Sequence, residues 1–228
     1  MDFFQRQRPM FTEKEQDRLS EAVVFIAGAG GLGTYQAVQL QRAGVKKIYL
    51  MDYDRVEATN LNRQVLYGRG DIGRSKVLAA RERLLEFELE TEIEIIEGRI
   101  GEDTEIPSDS DLILEALDNF QTRYTVCDLA YKYDLPLVHG GVEAWYGQLT
   151  TIIPGESRGL KDIISEPPAS EGPTPVFSPV VSTIASLQVT EAVKILIGRE
   201  NEELLVNKLL VVDLREYQID VINLDQQF

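Results

Sequence analysis

The chain has 228 residues, 43% of them hydrophobic, enough to bury one sizeable core. It carries 38 acidic against 23 basic residues, a net charge of −15, which argues against long-range attraction to nucleic acid or to an anionic membrane. Its single cysteine, Cys127, excludes an internal disulfide framework and a cysteine-rich zinc site. No run approaches the ~18 apolar residues of a membrane span, and the acidic start resembles no signal peptide, so the expected setting is cytoplasmic.

The first ten residues show no clear periodicity and place Arg6 and Arg8 beside Phe3 and Phe4, as in a flexible start. Thr12-Glu13-Lys14-Glu15 has the spacing of a capping box and predicts a short helix over 13–20. Val23-Val24-Phe25-Ile26-Ala27 is an unbroken apolar run bounded by glycine, the pattern of a central parallel strand covered on both faces. Gly28, Gly30 and Gly33 then fit G-x-G-x-x-G, with Gly31 inside the turn. The first of the three permits the tight turn, the second lets the backbone approach a phosphate, and the third lets the helix pack close to the strand. The helix that follows, 34–43 and ended by Gly44, offers free N–H groups and a positive dipole end to an anion. A second apolar strand, 47–51, ends in Asp52. That is about 20 residues beyond Gly33, where an acid usually takes the ribose hydroxyls.

Residues 52–64 are polar with no repeat at two or 3.6 residues, so they read as a loop at the carboxyl end of the sheet, where ligands gather. Gly70 to Gly73 turn into a helix over 74–88, with Val77, Leu78, Arg81, Leu84 and Leu85 marking its packed side. Lys76 falls in its first turn, where a lysine opposes the dipole and gains nothing structurally, which marks it as a functional candidate. Residues 92–96 alternate weakly, as near a sheet edge; 111–117 form a buried strand ending in Asp118-Asn119; a helix over 119–133 and a strand over 136–138 follow. Residues 147–153 read as a strand polar on one side, and 154–179, with six prolines and three glycines, as a mobile loop. A strong helix over 178–197, stopped by Gly198, and an antiparallel hairpin over 208–212 and 217–223 close the chain. The expected fold is α/β: a Rossmann-like, mostly parallel sheet with helices on both faces and a C-terminal antiparallel extension. One domain is expected over 1–228, divided into an arm and helix (1–21), a nucleotide-binding core (22–153), a crossover loop (154–179) and a C-terminal helix and hairpin (180–228).

Arg63 and Lys76 are placed to meet phosphates cradled by the glycine turn, and Asp52 to meet the ribose. Asp118 could hold Mg²⁺ across phosphate oxygens, since a hard cation wants carboxylate oxygen. Cations of this kind describe electrostatic stabilisation of a phosphorus-centred transition state, whereas hydride transfer needs none of them. Cys127, mid-helix, reads as a small buried hydrophobe, and His139, the only histidine, as a structural residue after an apolar strand.

Several motifs together resemble the ubiquitin-activating-like adenylyltransferases of bacteria and archaea, the MoeB/ThiF/HesA family. They are Gly28-Ala29-Gly30-Gly31-Leu32-Gly33, Asp52-Tyr53-Asp54, Asn60-Leu61-Asn62-Arg63-Gln64, Ile72-Gly73-Arg74-Ser75-Lys76, and Asp118-Asn119 followed by Arg123. Gly140-Gly141-Val142 through Gly147-Gln148 fits as well, as does Ser186-Leu187-Gln188 with Glu191-Ala192. The resemblance implies attack by the C-terminal glycine carboxylate of a small ubiquitin-like sulfur carrier on the α-phosphate of ATP, with release of pyrophosphate. It gives Arg63 and Lys76 to the phosphates, Asp118 to Mg²⁺, Asp52 to the ribose, and Asn60 and Gln64 to placing the nucleotide, with Asp54 and Asn119 in the same motifs. Phe4-Gln5-Arg6-Gln7 resembles the family's N-terminal arginine element, which would make Arg6 an in-trans finger in a homodimer. The cysteine pairs that bind structural zinc in many relatives, and the crossover-loop cysteine of several, have no counterpart here. Neither thiolate-bound zinc nor thioester transfer is therefore expected.

Three other readings remain open at this stage. A related tRNA-modifying dehydratase keeps the adenylation chemistry, although the charge argues against tRNA. A non-catalytic scaffold keeps the fold, although intact Arg63, Lys76 and Asp118 speak against it. A nicotinamide oxidoreductase lacks an acid–base pair for hydride chemistry.

Overall fold

The capping box closes as expected: Thr12 N–H donates to Glu15 Oε2 at 2.7 Å, and Glu15 N–H to Thr12 Oγ1 at 3.3 Å. Such a cap contributes ~1 kcal/mol and starts α1 (Glu13–Glu21). The computed structural model describes residues 3–165 and 174–225. After α1 come β1 (Val23–Ala27), α2 (Gly31–Ala43), β2 (Lys47–Asp52), α3 (Lys76–Leu85), β3 (Glu92–Glu97), β4 (Leu112–Glu115) and α4 (Phe120–Tyr133). The second half holds β5 (Leu137–Glu143), β6 (Tyr146–Ile152), the short α5 (Leu160–Ile163), α6 (Ser178–Ile197), β7 (Lys208–Asp213) and β8 (Gln218–Asn223).

All eight strands join one sheet in the order β3-β2-β1-β4-β5-β6-β7-β8. The pairs from β3 through β5 are parallel, and those from β5 through β8 are antiparallel. The fully apolar β1 lies between β2 and β4, and every one of its residues is buried. One core fills the face under α2, α3 and α6, with Val24, Ile26, Leu40, Ile48, Leu50 and Ile184; the other, around Phe25, Ile113, Leu129 and Leu137, lies under α4. Strand order reverses between β1 and β4, so the loops after these two strands open a crevice at the carboxyl edge.

Four expectations change. The packed side of α3 is Lys76, Val77, Ala79, Ala80 and Leu84, whereas Leu78 and Leu85 are exposed. The two small alanines let the helix sit close to the sheet, and the larger leucines at its margins face water. The strand over 147–153 is polar on both sides, with Gln148 and Thr150 on one and Thr151 on the other, and both threonines are buried. Their hydroxyls donate to the Lys208 carbonyl and to Glu191 Oε1, both at 2.8 Å. Strand β5 runs on to Glu143 because it pairs along its whole length with β6. Helix α6 is long and apolar enough by composition to cross a membrane, with mean hydropathy 1.5, against the expectation that no run approaches a span. In this fold it packs across α2, β5 and β6, and its Gln188 and Glu191 are buried and hydrogen-bonded. The mobile loop expected over 154–179 falls in part on residues 166–173, which lie outside the described residues.

Candidate active site

The glycine turn is fixed by contacts that only glycine permits. Gly28 has φ +108°, and a Cβ on Gly33 would lie 1.9 Å from the Gly28 carbonyl oxygen, so α2 can leave the turn only without side chains there. Gly30 is the residue before α2, which leaves the helix's first N–H groups facing the crevice. A Cβ on Gly31 would lie 3.6 Å from both Cγ and Cδ of Arg63, so the arginine stem crosses the turn. The same construction on Gly30 comes 3.9 Å from Gln64 Nε2. Gln64 is buried, and its Oε1 has no hydrogen-bond partner. An amide donor beside a bare glycine turn fits a bound polar ligand.

Asp52 fastens this turn to the next loop. Its Oδ2 accepts the Ala29 N–H at 2.7 Å, and its Oδ1 accepts the Asp54 N–H at 2.8 Å. Tyr67 braces the other side, donating its hydroxyl to the Ala29 carbonyl at 2.8 Å. Burial, then the nearby Asp52 charge, push the Tyr67 phenol up, so it stays a donor. Lys76 is buried, with Nζ 3.0 Å from Asp54 Oδ2. The reading that it gains nothing structurally is thereby corrected: Asp54 offsets the unfavourable dipole at the start of α3. Asn60 Oδ1 accepts the Glu57 N–H at 3.0 Å and holds the loop that presents Arg63 and Gln64. Arg63 donates from Nη1 to the Thr59 carbonyl at 3.0 Å and to Asn62 Oδ1 at 2.8 Å.

Across the crevice, Ala116 N–H donates to the Ala27 carbonyl at 2.9 Å, which brings the turn after β4 against the glycine turn. Asp118 and Asn119 follow. Asn119 Oδ1 accepts from Thr122 N–H at 2.9 Å and from its hydroxyl at 2.8 Å, so it caps α4 and stands ready-oriented beside Asp118. Asp118 meets Asn119 Nδ2 at 3.3 Å. No group of three potential metal ligands occurs among the described residues. A cation here would therefore rest on Asp118 together with oxygens of a bound phosphate, which suits Mg²⁺.

The glycine turn, Asp52 at the end of β2, Lys76 at the start of α3, and Arg63, Gln64 and Asp118 in loops thus gather at one edge of the sheet, around the point where strand order reverses. Arg6 does not join them. Phe4 packs on Gly44, where a Cβ would lie 2.7 Å from its ring, and Gln7 Nε2 donates to the Ala43 carbonyl at 2.8 Å. The arm therefore docks at the C-terminal end of α2, the end away from the glycine turn.

The sequence matches the ThiF family over residues 4–228. The chain belongs to this family. It is 36% identical over 197 residues to the sulfur carrier protein ThiS adenylyltransferase of Bacillus subtilis (strain 168), covering 83% of this chain and 59% of that protein. It is 34% identical over 212 residues to the sulfur carrier protein adenylyltransferase of Thermus thermophilus, covering 87% of this chain and 78% of the relative. Among solved structures, E. coli MccB with ATP shares the fold, at a TM-score of 0.80 and 24% identity, over 92% of this chain and 66% of that one. This ThiF-family chain thus spans 59% of the Bacillus relative, so part of that protein lies outside the match.

Sequence reading passed over Glu115 and the roles of Asn62, Arg123 and Gln188. Glu115 is wholly buried at the end of β4, with Oε2 2.5 Å from His139 Nδ1 and Oε1 3.6 Å from Arg123 Nε. Burial pushes its carboxyl up, but Arg123, His139 and the Leu117 N–H outweigh that and hold it below the ordinary value of 4.5. A charged residue closing the apolar run Leu112-Ile113-Leu114 was the available signal. His139 is wholly buried and meets Glu115 through Nδ1, while its Nε2 has no hydrogen-bond partner among the described residues. Gln188 donates to the Glu115 and Val138 carbonyls at 2.9 and 3.3 Å and accepts from Gln36 at 2.8 Å. Asn62 Nδ2 reaches the Val176 carbonyl at 3.4 Å, linking the loop that bears Arg63 to the returning crossover segment. Cys127 is buried with the Leu160 N–H on its Sγ at 3.4 Å, and burial pushes its thiol up.

Proposed function

We propose that this chain is an ATP-dependent adenylyltransferase that activates the C-terminal glycine carboxylate of a small ubiquitin-like sulfur carrier, in a molybdopterin, thiamine or related sulfur-transfer pathway. The observation that carries the reading is the bare glycine turn crossed by the Arg63 stem and approached by the Gln64 amide nitrogen. The names of the Bacillus and Thermus relatives support it. A carboxylate oxygen attacks the α-phosphorus, the bond from that phosphorus to the bridging oxygen breaks, and pyrophosphate leaves with the electron pair.

The turn's N–H groups, Arg63 and Lys76 offset charge that builds on the phosphate oxygens. Asp52 has lone pairs left for ribose hydroxyls after accepting its two backbone N–H groups. Asn60 keeps Gln64 and Arg63 in place, Asp54 does so for Lys76, and Asn119 for Asp118. Mg²⁺, when bound at Asp118, would neutralise phosphate charge. Beyond Asp52 lies an open cavity of about 510 Å³ lined by Met51, Ile96, Arg99 and acidic Glu102, Asp103 and Glu105. Its acids would repel the triphosphate, so only the base end of the nucleotide suits it.

The reading extends to a homodimer. Helix α2 has 13 residues. At ~1.5 Å per residue its ends are ~20 Å apart, too far for Arg6 to act on its own glycine turn. Arg6 can serve a phosphate only across a dimer, which supports the in-trans finger. With Cys127 buried, the product remains the carrier acyl-adenylate, with no enzyme thioester. A cytoplasmic setting suits this chemistry.

Exchange of labelled pyrophosphate into ATP tests the reading. It should require a carrier with a Gly-Gly terminus and vanish when the terminal glycine is removed. Exchange that instead needs tRNA, or proceeds with neither, would overturn the assignment of the substrate.

A further inference from the structure

Directly beneath Asp118 lies a buried network that neither the phosphates nor the ribose employ. Glu115 Oε1 accepts the Leu117 N–H at 2.6 Å. Arg123 donates to the Leu117 carbonyl from Nη2 at 2.8 Å and from Nε at 3.2 Å. The two peptide groups flanking Leu117 are therefore gripped by the two members of one ion pair, and both members are buried. The grip has its own supports. His139 holds the second Glu115 oxygen, Gln188 holds the Glu115 carbonyl, and the Arg123 guanidinium lies 4.9 Å from the Phe120 ring centroid. A Cβ on Gly141 would come within 3.0 Å of Arg123 Nη1, so β5 leaves room for the arginine.

Removing two charges from water is costly, and apolar side chains could fill the same volume without that cost. Packing alone does not account for the pair. What it accomplishes geometrically is to fix the backbone on the near side of Asp118, while the Asn119 cap fixes the far side. A carboxylate between two such anchors can turn only about its own side-chain bonds.

We propose that Glu115 and Arg123 are positioning residues that hold the Asp118 carboxylate in place for a divalent cation. The proposal rests on Asp118 being the acid that meets Mg²⁺. Loss of the grip should then loosen the cation and leave the rest of the nucleotide's contacts intact. Arg123→Lys is the sharpest variant, because it keeps a positive charge beside Glu115 and loses the planar two-pronged fork on the Leu117 carbonyl. Glu115→Gln keeps an acceptor for the Leu117 N–H and serves as the second variant.

The test is calorimetric binding of ATP to the full chain, with Mg²⁺ titrated from none to saturation, and Asp118→Asn as the reference. Thermal melts establish that each variant is folded. Arg123→Lys should raise the half-saturating Mg²⁺ by roughly tenfold or more, the scale for removing a residue that orients a metal ligand. Its metal-free affinity for ATP should stay close to wild type, Glu115→Gln should move Mg²⁺ the same way by less, and adding Arg123→Lys to Asp118→Asn should change nothing further. If Asp118→Asn shifts the Mg²⁺ dependence and a folded Arg123→Lys does not, the positioning role is refuted. Equal losses with and without Mg²⁺ would refute it too, by making Arg123 a general support of the fold. If Asp118→Asn itself leaves the Mg²⁺ dependence unmoved, the assignment of Asp118 fails, and this proposal with it.

Discussion

The two walls of the crevice are made differently. On the β1–β2 side, hydrogen bonds to neighbouring main chain hold the parts: Asp52 ties Ala29 to Asp54, Tyr67 ties Ala29, and Asn60 ties Glu57. On the β4 side, buried side chains drawn from β4, α4, β5, α6 and α2 meet in one polar cluster around Glu115. The first wall can be assembled from short stretches of chain. The second exists only once five elements are packed. A ligand that needs both walls thus tests whether the whole sheet is folded.

The largest effect is expected on the first wall. Lys76→Ala removes the buried ammonium and should cut carrier-dependent pyrophosphate exchange by roughly a hundredfold or more. Exchange at the wild-type rate would return Lys76 to a purely structural partner of Asp54. Gly33→Ala forces a Cβ to within 1.9 Å of the Gly28 oxygen. It should destabilise the fold by about 3 kcal/mol, at the upper end of overpacking costs, and a chemical denaturation series would read this. Gly70 makes a control, since nothing lies within 4 Å of a Cβ there and Gly70→Ala should be near neutral.

The next prediction joins the second wall to the arm. Mixing Arg6→Ala with Asp118→Ala subunits should restore part of the exchange lost in each, because one site of the mixed dimer is intact. No recovery, with mixed dimers shown by mass spectrometry, would remove the in-trans role. The smallest effect belongs to Cys127, which lies in the apolar core under α4, away from both walls. Cys127→Ser should leave adenylate formation nearly unchanged. A reductant-sensitive enzyme–carrier adduct that disappears in this variant would reverse that view.

The ease of reading followed the same division. Gly28, Gly30, Gly31, Gly33, Asp52, Asn60, Arg63, Gln64 and Lys76 stand in short spacings that are themselves the geometry of a turn, a strand end or a first helical turn. Local rules find them. The edge position of β3 was legible in its weak alternation, and the hairpin of β7 and β8 in its punctuation. Glu115 and Gln188 carry no such spacing, since His139, which meets Glu115, and Glu115, Val138 and Gln36, which meet Gln188, lie in distant stretches of the chain. Lys76 was singled out by its opposition to the helix dipole, yet the acid that makes it tolerable, Asp54, became visible only when the loop after β2 folded back onto α3.

By itself, the sequence determined the class of sheet, the glycine turn and the acids and bases at its mouth, because hydrophobic period and turn chemistry act over a few residues. Tertiary structure alone decided three things. It placed the long apolar α6 across α2 and the sheet, because that burial is available only in the assembled fold. It set the arm at the far end of α2, because Phe4 finds the bare Gly44 there. And it buried the ion pair around Leu117 beneath His139 and Gln188, because two charges can share a low-dielectric site only after packing has excluded water.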